Sequence, residues 1–161
     1  MIPTRMTDVS LRLDAFIPFR LSVTSNMVSH AIASTYQALF GLSIPEWRLI
    51  AVIAEDDGTT QQQVGRRTQM DKVTVSRATI ALVDRGLIER QPHARDRRSQ
   101  SLHLTASGHA LYAQVAPKAL ELEHRIFATF EADEVATFSA MLLRVQQATL
   151  SAHAENQIMP K

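Results

Sequence analysis

Between Ser43 and Gly108 the chain carries four helix-start signals in a row, with two short alternating segments set before the last of them. Few folds admit that order. The first signal is Ser43-Ile44-Pro45-Glu46. A serine three residues ahead of a glutamate has capping-box spacing, and proline in a first helical turn loses no hydrogen bond. The spacing predicts a short helix, PEWRLIAVIAE, with Trp47, Ile50, Ala51 and Ile53 on its buried face. Asp56-Asp57-Gly58 then reads as a turn. Thr59 or Thr60 caps a further helix that runs to about Arg67. Asp71 caps another over Lys72 to Arg85, and Gly86 ends it. Its inward stripe is Val75, Ala78, Thr79 and Leu82, at i, i+3, i+4 and i+7, which leaves Val73 and Arg77 on the other side. Leu87–Gln91 alternates weakly and Ser101–Thr105 alternates clearly, with Leu102 and Leu104 opposite Ser101, His103 and Thr105. The polar, basic stretch Pro92–Ser99 joins them into a hairpin.

The flanks are helical in pattern. Glycine is confined to five positions and proline to six, so long stretches are free of both. From about Leu13 to Phe40, Val23, Met27, Ile32, Tyr36 and Leu39 follow helical spacing. Pro18 kinks this helix or marks its start, and Gly41 suits the left-handed residue after its end. Thr105 is placed to cap a helix carrying Leu111, Val115, Leu120 and Leu122, which Pro117 can kink. A last amphipathic helix starts near Asp133 and carries Val135, Phe138, Met141, Leu142, Val145 and Leu150. The expected fold is mainly α with one small β-hairpin: a winged helix-turn-helix over 43–104, flanked by long helices over 13–41 and 105–153, in a single 161-residue domain.

Net charge is only +1, yet it is unevenly spread. Between Gln63 and Gln100 there are nine basic residues against four acidic, or +5, and the rest of the chain carries eight against twelve, or −4. A basic centre between mildly acidic flanks favours a polyanionic partner. The helix order agrees. A helix of about 14 residues fits the major groove of B-form DNA, roughly 12 Å wide, with its N-terminal side chains at the base edges. The preceding helix crosses the backbone, and an arginine-rich hairpin tip reaches a neighbouring minor groove.

Leu42-Ser43-x-Pro45-x-Trp47-Arg48, Met70-Asp71-Lys72-x-x-Val75-Ser76-Arg77, Arg85-Gly86-Leu87-Ile88-x-Arg90 and Asp96-Arg97-Arg98-Ser99-x-x-Leu102-x-Leu104-Thr105-x-x-Gly108 together resemble the MarR family of bacterial transcriptional regulators. The likeness runs from about Phe16 to Leu150. It implies a homodimer whose first and last helices intertwine, each subunit offering one winged region to half of a pseudo-palindromic operator. On that reading Lys72, Val73, Thr74, Ser76 and Arg77 form the recognition helix. Arg77 pairs bidentately with guanine, the hydroxyls meet base or phosphate, and Val73 meets a thymine methyl. Arg95, Arg97 and Arg98 serve phosphate or minor groove, while Asp96 accepts from an arginine and shapes the wing. Thr60 and Gln61, with Gln62 and Arg66, are backbone contacts. Phe16, Ile17, Phe19 and Leu21 are too apolar for a free arm and are expected against the partner's final helix, which makes an isolated monomer unstable.

The resemblance also implies an effector pocket between the dimerisation helices and the winged region. Its candidates are Arg20, Asn26, His30, Trp47 and Arg48: an arginine for a carboxylate, Trp47 to stack on a ring. The stretch Pro18–Ser29 is similar to regulators of hydroxycinnamate catabolism, which implies an aromatic acid or its coenzyme A thioester as effector. Repression relieved by that effector is the expected mode.

Other chemistries find little footing. The chain has no cysteine, so thiolate metal sites, disulfides and thiol-based peroxide sensing are excluded for these residues. Glu121-x-x-His124 has ligand spacing, but one copy is half of what a di-iron bundle needs, so no metal and no cofactor are expected. No phosphate-cradling glycine loop, HExxH or GxSxG motif argues for an enzyme. No apolar run nears the ~20 residues of a membrane span and no signal peptide is legible, so a cytoplasmic setting without membrane contact is expected. The competing reading is a helical interaction module whose winged region docks a protein in place of DNA.

Overall fold

The computed structural model describes residues 10–93 and 99–158. The chain divides at Pro117 into two compact units, 1–117 and 118–161.

In the first unit, Phe16 precedes α1 (Ile17–Phe40) with Pro18 in its first turn, so the proline marks the helix start and puts no kink in it. Gly41 ends it in the left-handed conformation, at φ +61°. Ser43 opens α2 (Ile44–Glu55) with a complete capping box: its amide donates to Glu46 Oε2 (2.7 Å) and its hydroxyl accepts from the Glu46 amide (3.4 Å). Thr60, not Thr59, caps α3 (Gln61–Thr68), again as a capping box, here with Gln63. Thr59 is buried instead. Asp71 caps α4 (Lys72–Asp84), whose buried residues are Val75, Ala78, Thr79 and Leu82, the predicted stripe. Strand β1 (Ile88–Pro92) pairs antiparallel with β2 (Gln100–Leu104), Arg90 facing Leu102 across the ladder. The hairpin gains a third edge from the α2–α3 turn. Gly58 N–H donates to Leu102 O (3.0 Å) and Leu102 N–H to Thr59 O (2.8 Å). That edge explains why Ser101, expected on the open face, is buried.

Helix α5 (Ala106–Ile126) starts in this unit. The Thr105 hydroxyl accepts from Gly108 N–H (3.0 Å) and donates to Gly86 O (2.6 Å), so one side chain caps α5 and ties it to the end of α4. The core lies where α2, α4 and the hairpin meet, around Leu49, Ile50, Ile53, Leu82, Ile88 and Leu102. On α2 the buried residues are Leu49, Ile50, Val52 and Ile53, and Trp47 and Ala51 are only half-buried, which corrects the predicted face. The cause is packing on several sides: α2 contacts α1, α3, α4 and β2, so no single stripe describes it. On α1, only Tyr36 of the predicted stripe is buried, and Val23, Met27 and Leu39 are exposed.

The second unit holds the end of α5 and α6 (Ala132–Ile158). Phe127 packs its ring against Phe130 and Phe138, with centroids 5.7 and 6.1 Å apart. Glu131 N–H donates to Glu134 Oε2 (2.9 Å) at the start of α6. Phe138, Met141, Leu142, Val145 and Leu150 are exposed along that helix. No single helix among the described residues is long and apolar enough to cross a membrane.

Candidate nucleic-acid interface

The site is built on the start of α4. The Asp71 carboxylate accepts from the Thr74 amide (2.8 Å) and from the Thr74 hydroxyl (2.7 Å). These bonds, the hydroxyl's first, hold the Asp71 carboxyl below its ordinary pKa. Because the Thr74 hydroxyl gives its proton to Asp71, it retains only acceptor capacity towards any ligand. The outward face of α4 then carries exposed Lys72, Val73 and Arg77, with Ser76 half-covered among them. Ile80 lies on the same face and is 49% exposed. Sequence reading missed it because one apolar residue in a helix of Val, Ile and Ala carries no signal of its own. No ion pair engages Arg77 among the described residues.

Helix α3 stands beside this face. Gln61, Gln62, Gly65 and Met70 on one side and Lys72 and Val75 on the other line a cleft of about 440 Å³. Thr60 Oγ1 accepts from the Gln63 amide, which leaves the hydroxyl proton at the α3 N-terminus for an outside acceptor. Arg66 is exposed further along α3. Arg95, Asp96, Arg97 and Arg98 lie outside the described residues.

Not every basic residue of the centre is available. Arg67 pairs with Glu55. Arg85 donates to Gly41 O (3.1 Å) and Phe40 O (3.2 Å) and sits 3.9 Å from Glu46, so it caps the C-terminus of α1. Local charge arithmetic counts both as free cations, and their partners, 12 and 44 or 45 residues away, leave no trace in it.

The effector candidates do not converge within one chain. Trp47 stacks near-parallel on Tyr112 (centroids 5.9 Å, 16°) and meets Tyr36 at a tilt (5.3 Å, 59°). The indole is thus already flanked by two phenols, and Tyr112 was not foreseen. Burial also raises the Tyr36 pKa. Arg20 is exposed in a cleft of about 440 Å³ with Asp14, Phe19, Val23 and Thr24. It lies sixteen residues before Tyr36 on α1, roughly 24 Å at about 1.5 Å per residue. Asn26 and His30 are exposed on α1, and Arg48 is exposed on α2. Glu121 pairs with Lys118 at 2.7 Å, which lowers its pKa, and no three potential ligands gather round a metal position among the described residues.

Residues 40–99 match the family model described as MarR family. The fold is similar to that of solved MarR-family regulators. The crystal structure of a MarR/EmrR family transcriptional regulator from Acinetobacter sp. ADP1 superposes with a TM-score of 0.81 at 24% identity, covering 88% of this chain and 99% of that one. The PcaV transcriptional regulator of Streptomyces coelicolor, solved in complex with its natural ligand, superposes with a TM-score of 0.71 at 21% identity, covering 88% and 99%. An uncharacterised helix-turn-helix-type transcriptional regulator of Staphylococcus aureus is 29% identical over 83 residues, 52% of this chain and 57% of that protein. The chain thus spans little more than half the length of that relative.

Proposed function

We propose that this chain is a homodimeric transcriptional regulator that binds duplex DNA through α4 and the hairpin and is released by a small aromatic acid or its acyl thioester. One observation carries the DNA reading: α4 buries Val75, Ala78, Thr79 and Leu82 and exposes Lys72, Val73 and Arg77, with Ser76 half-covered among them, at the N-terminal end of a capped helix. A major groove reads that end. Arg77 is the base-reading residue and Val73 and Ile80 are the apolar contacts. Lys72, Thr60, Gln61 and the arginines at 95, 97 and 98 serve the backbone or minor groove, and Thr74 and Ser76 act as hydroxyl contacts. Asp96 shapes the wing.

Residues 43–104 form the reading head, and 13–41 with 105–153 hold the dimer. Phe16 ahead of α1, Ile17 and Phe19 on it, and the exposed apolar residues of α6 support this, because uncovered apolar surface of that kind marks an interface. A pseudo-palindromic operator then places two α4 helices about 34–36 Å apart. An effector acts only by binding the two spacings of the dimer unequally. With Arg20 and Trp47 far apart in one chain, Trp47 with Arg48 is one candidate site and Arg20 with Asn26 and His30 another.

A duplex selected from a random pool by the purified protein tests the DNA reading. Arg77→Ala should lose about 1–3 kcal/mol of preference for that duplex over random DNA with the dimer intact. Equal preference in mutant and parent removes Arg77 from the readout. Aromatic acids and acyl thioesters that raise the melting temperature should also release the duplex. A stabiliser that leaves DNA affinity unchanged is not the effector.

A further inference from the structure

We propose that His103 is a positioning residue that latches the hairpin to the helix-turn-helix and so sets the angle at which both meet DNA. It rests on the DNA reading above. The ring lies between two segments. Its Nδ1 is 3.0 Å from Asp57 Oδ1 in the α2–α3 turn, and its Nε2 is 3.0 Å from Ser101 Oγ on β2. Ser101 Oγ is also 3.2 Å from Gln91 O on β1. The ring carbon between the two nitrogens is 3.3 Å from where a Cβ on Gly58 would stand, so glycine there makes room for it. Ser101 is buried, and the His103 side chain is 22% exposed.

Proton counting shows what the latch requires. Gln91 O and the Asp57 carboxylate only accept. The single Ser101 proton goes to Gln91 O, so Ser101 Oγ must accept from Nε2. Asp57 must accept from Nδ1. A ring with protons on both nitrogens therefore makes all three contacts at once. A ring with one proton makes two: Ser101 turns its proton to Nε2 and gives up Gln91 O, or the ring lets go of Asp57. Acidic groups surround the ring. Asp57 faces it from the turn, next to Asp56, and Glu89 stands opposite it in the β1–β2 register. The α3 residues closest in sequence to the turn, Gln61, Gln62 and Gln63, carry no charge.

The consequence is mechanical. Gln91 and Ser101 pair near the loop end of the hairpin, and Asp57 sits three residues before the N-cap of α3. Closing the latch fixes the hairpin against the helix that leads into α4. A preformed angle removes ordering cost from duplex binding. Opening it leaves each element folded but their mutual geometry looser.

Duplex affinity should be measured for the parent, His103→Ala, His103→Gln and Asp57→Asn on the duplex selected as above, with melting temperatures recorded. Asp57 is 70% exposed, so Asp57→Asn preserves the fold. Asp57→Asn and His103→Ala should bind roughly three- to tenfold more weakly, and their double variant no more weakly than the worse single one. Glutamine supplies a donor and an acceptor, so His103→Gln should recover part of the affinity. A parent that binds while every variant binds as tightly overturns the positioning role and leaves the DNA reading standing. A parent with no duplex affinity overturns both.

Discussion

At the scale of single residues, the reliable features are those whose partner lies a few positions away. Ser43, Asp71, Thr105, Gly41 and Gly86 all do what their neighbours dictate, because a cap needs only its own first turn or a tight backbone bend. Arg85 is the opposite case. Its sequence context marks it as one more cation in a basic stretch, and its partners are the carbonyls of Phe40 and Gly41. His103 and Tyr112 escape for the same reason, since their contacts are with Asp57 and Trp47. Asp71 makes a testable case. Its carboxyl is held below the ordinary range by Thr74. A carboxylate with a lowered folded pKa stabilises the fold above the unfolded value, and that contribution is lost as pH falls through the folded one. Urea unfolding between about pH 6 and about pH 2 should therefore show a weaker acid dependence for Asp71→Asn than for the parent. Identical acid limbs would mean that the α4 cap does not contribute to stability.

At the scale of elements, periodicity served α4 and failed α2. Helix α4 packs on one side and exposes the other, so a 3.6-residue stripe describes it fully. Helix α2 is surrounded by α1, α3, α4 and β2, and an almost wholly apolar segment has no face that pattern alone can select. The hairpin was legible as two strands, but the turn that covers its edge and buries Ser101 joins it from forty residues away and carries no alternation. The start of α5 is the tightest junction. A Cβ on Gly108 would stand 2.0 Å from Leu87 O, so this glycine is required by the closeness of α5 to the end of the α4–β1 connection. Gly108→Ala should destabilise the protein by about 1–3 kcal/mol or more, read by chemical denaturation, because backbone and not a flexible side chain must yield. An unchanged midpoint would show that α5 shifts freely on the hairpin.

At the scale of the whole molecule, the stripes read at both ends of the chain as core are largely uncovered within each unit. Of the α1 stripe only Tyr36 is buried, and Phe138, Met141, Leu142 and Val145 on α6 stand exposed. Their spacing was legible, and the family resemblance implied a partner's helix as their cover, a contact that one chain cannot display. A second copy is the proposed cover. Met141→Glu places a charge on that face and should weaken the dimer, read by sedimentation velocity, and lower the melting temperature with it. A variant that remains dimeric would move the interface away from α6.

The central claim is that duplex DNA is held by cations on α4, on α3 and in the hairpin loop, two sets per dimer. Its direct measurement is duplex affinity by fluorescence anisotropy across a salt series. Several arginine and lysine contacts to phosphate should make affinity fall steeply and linearly on logarithmic axes, by about 10³-fold between roughly 50 and 200 mM salt. A shallow dependence, with the selected duplex bound no more tightly than random sequence, would contradict the account and favour a winged region that docks protein.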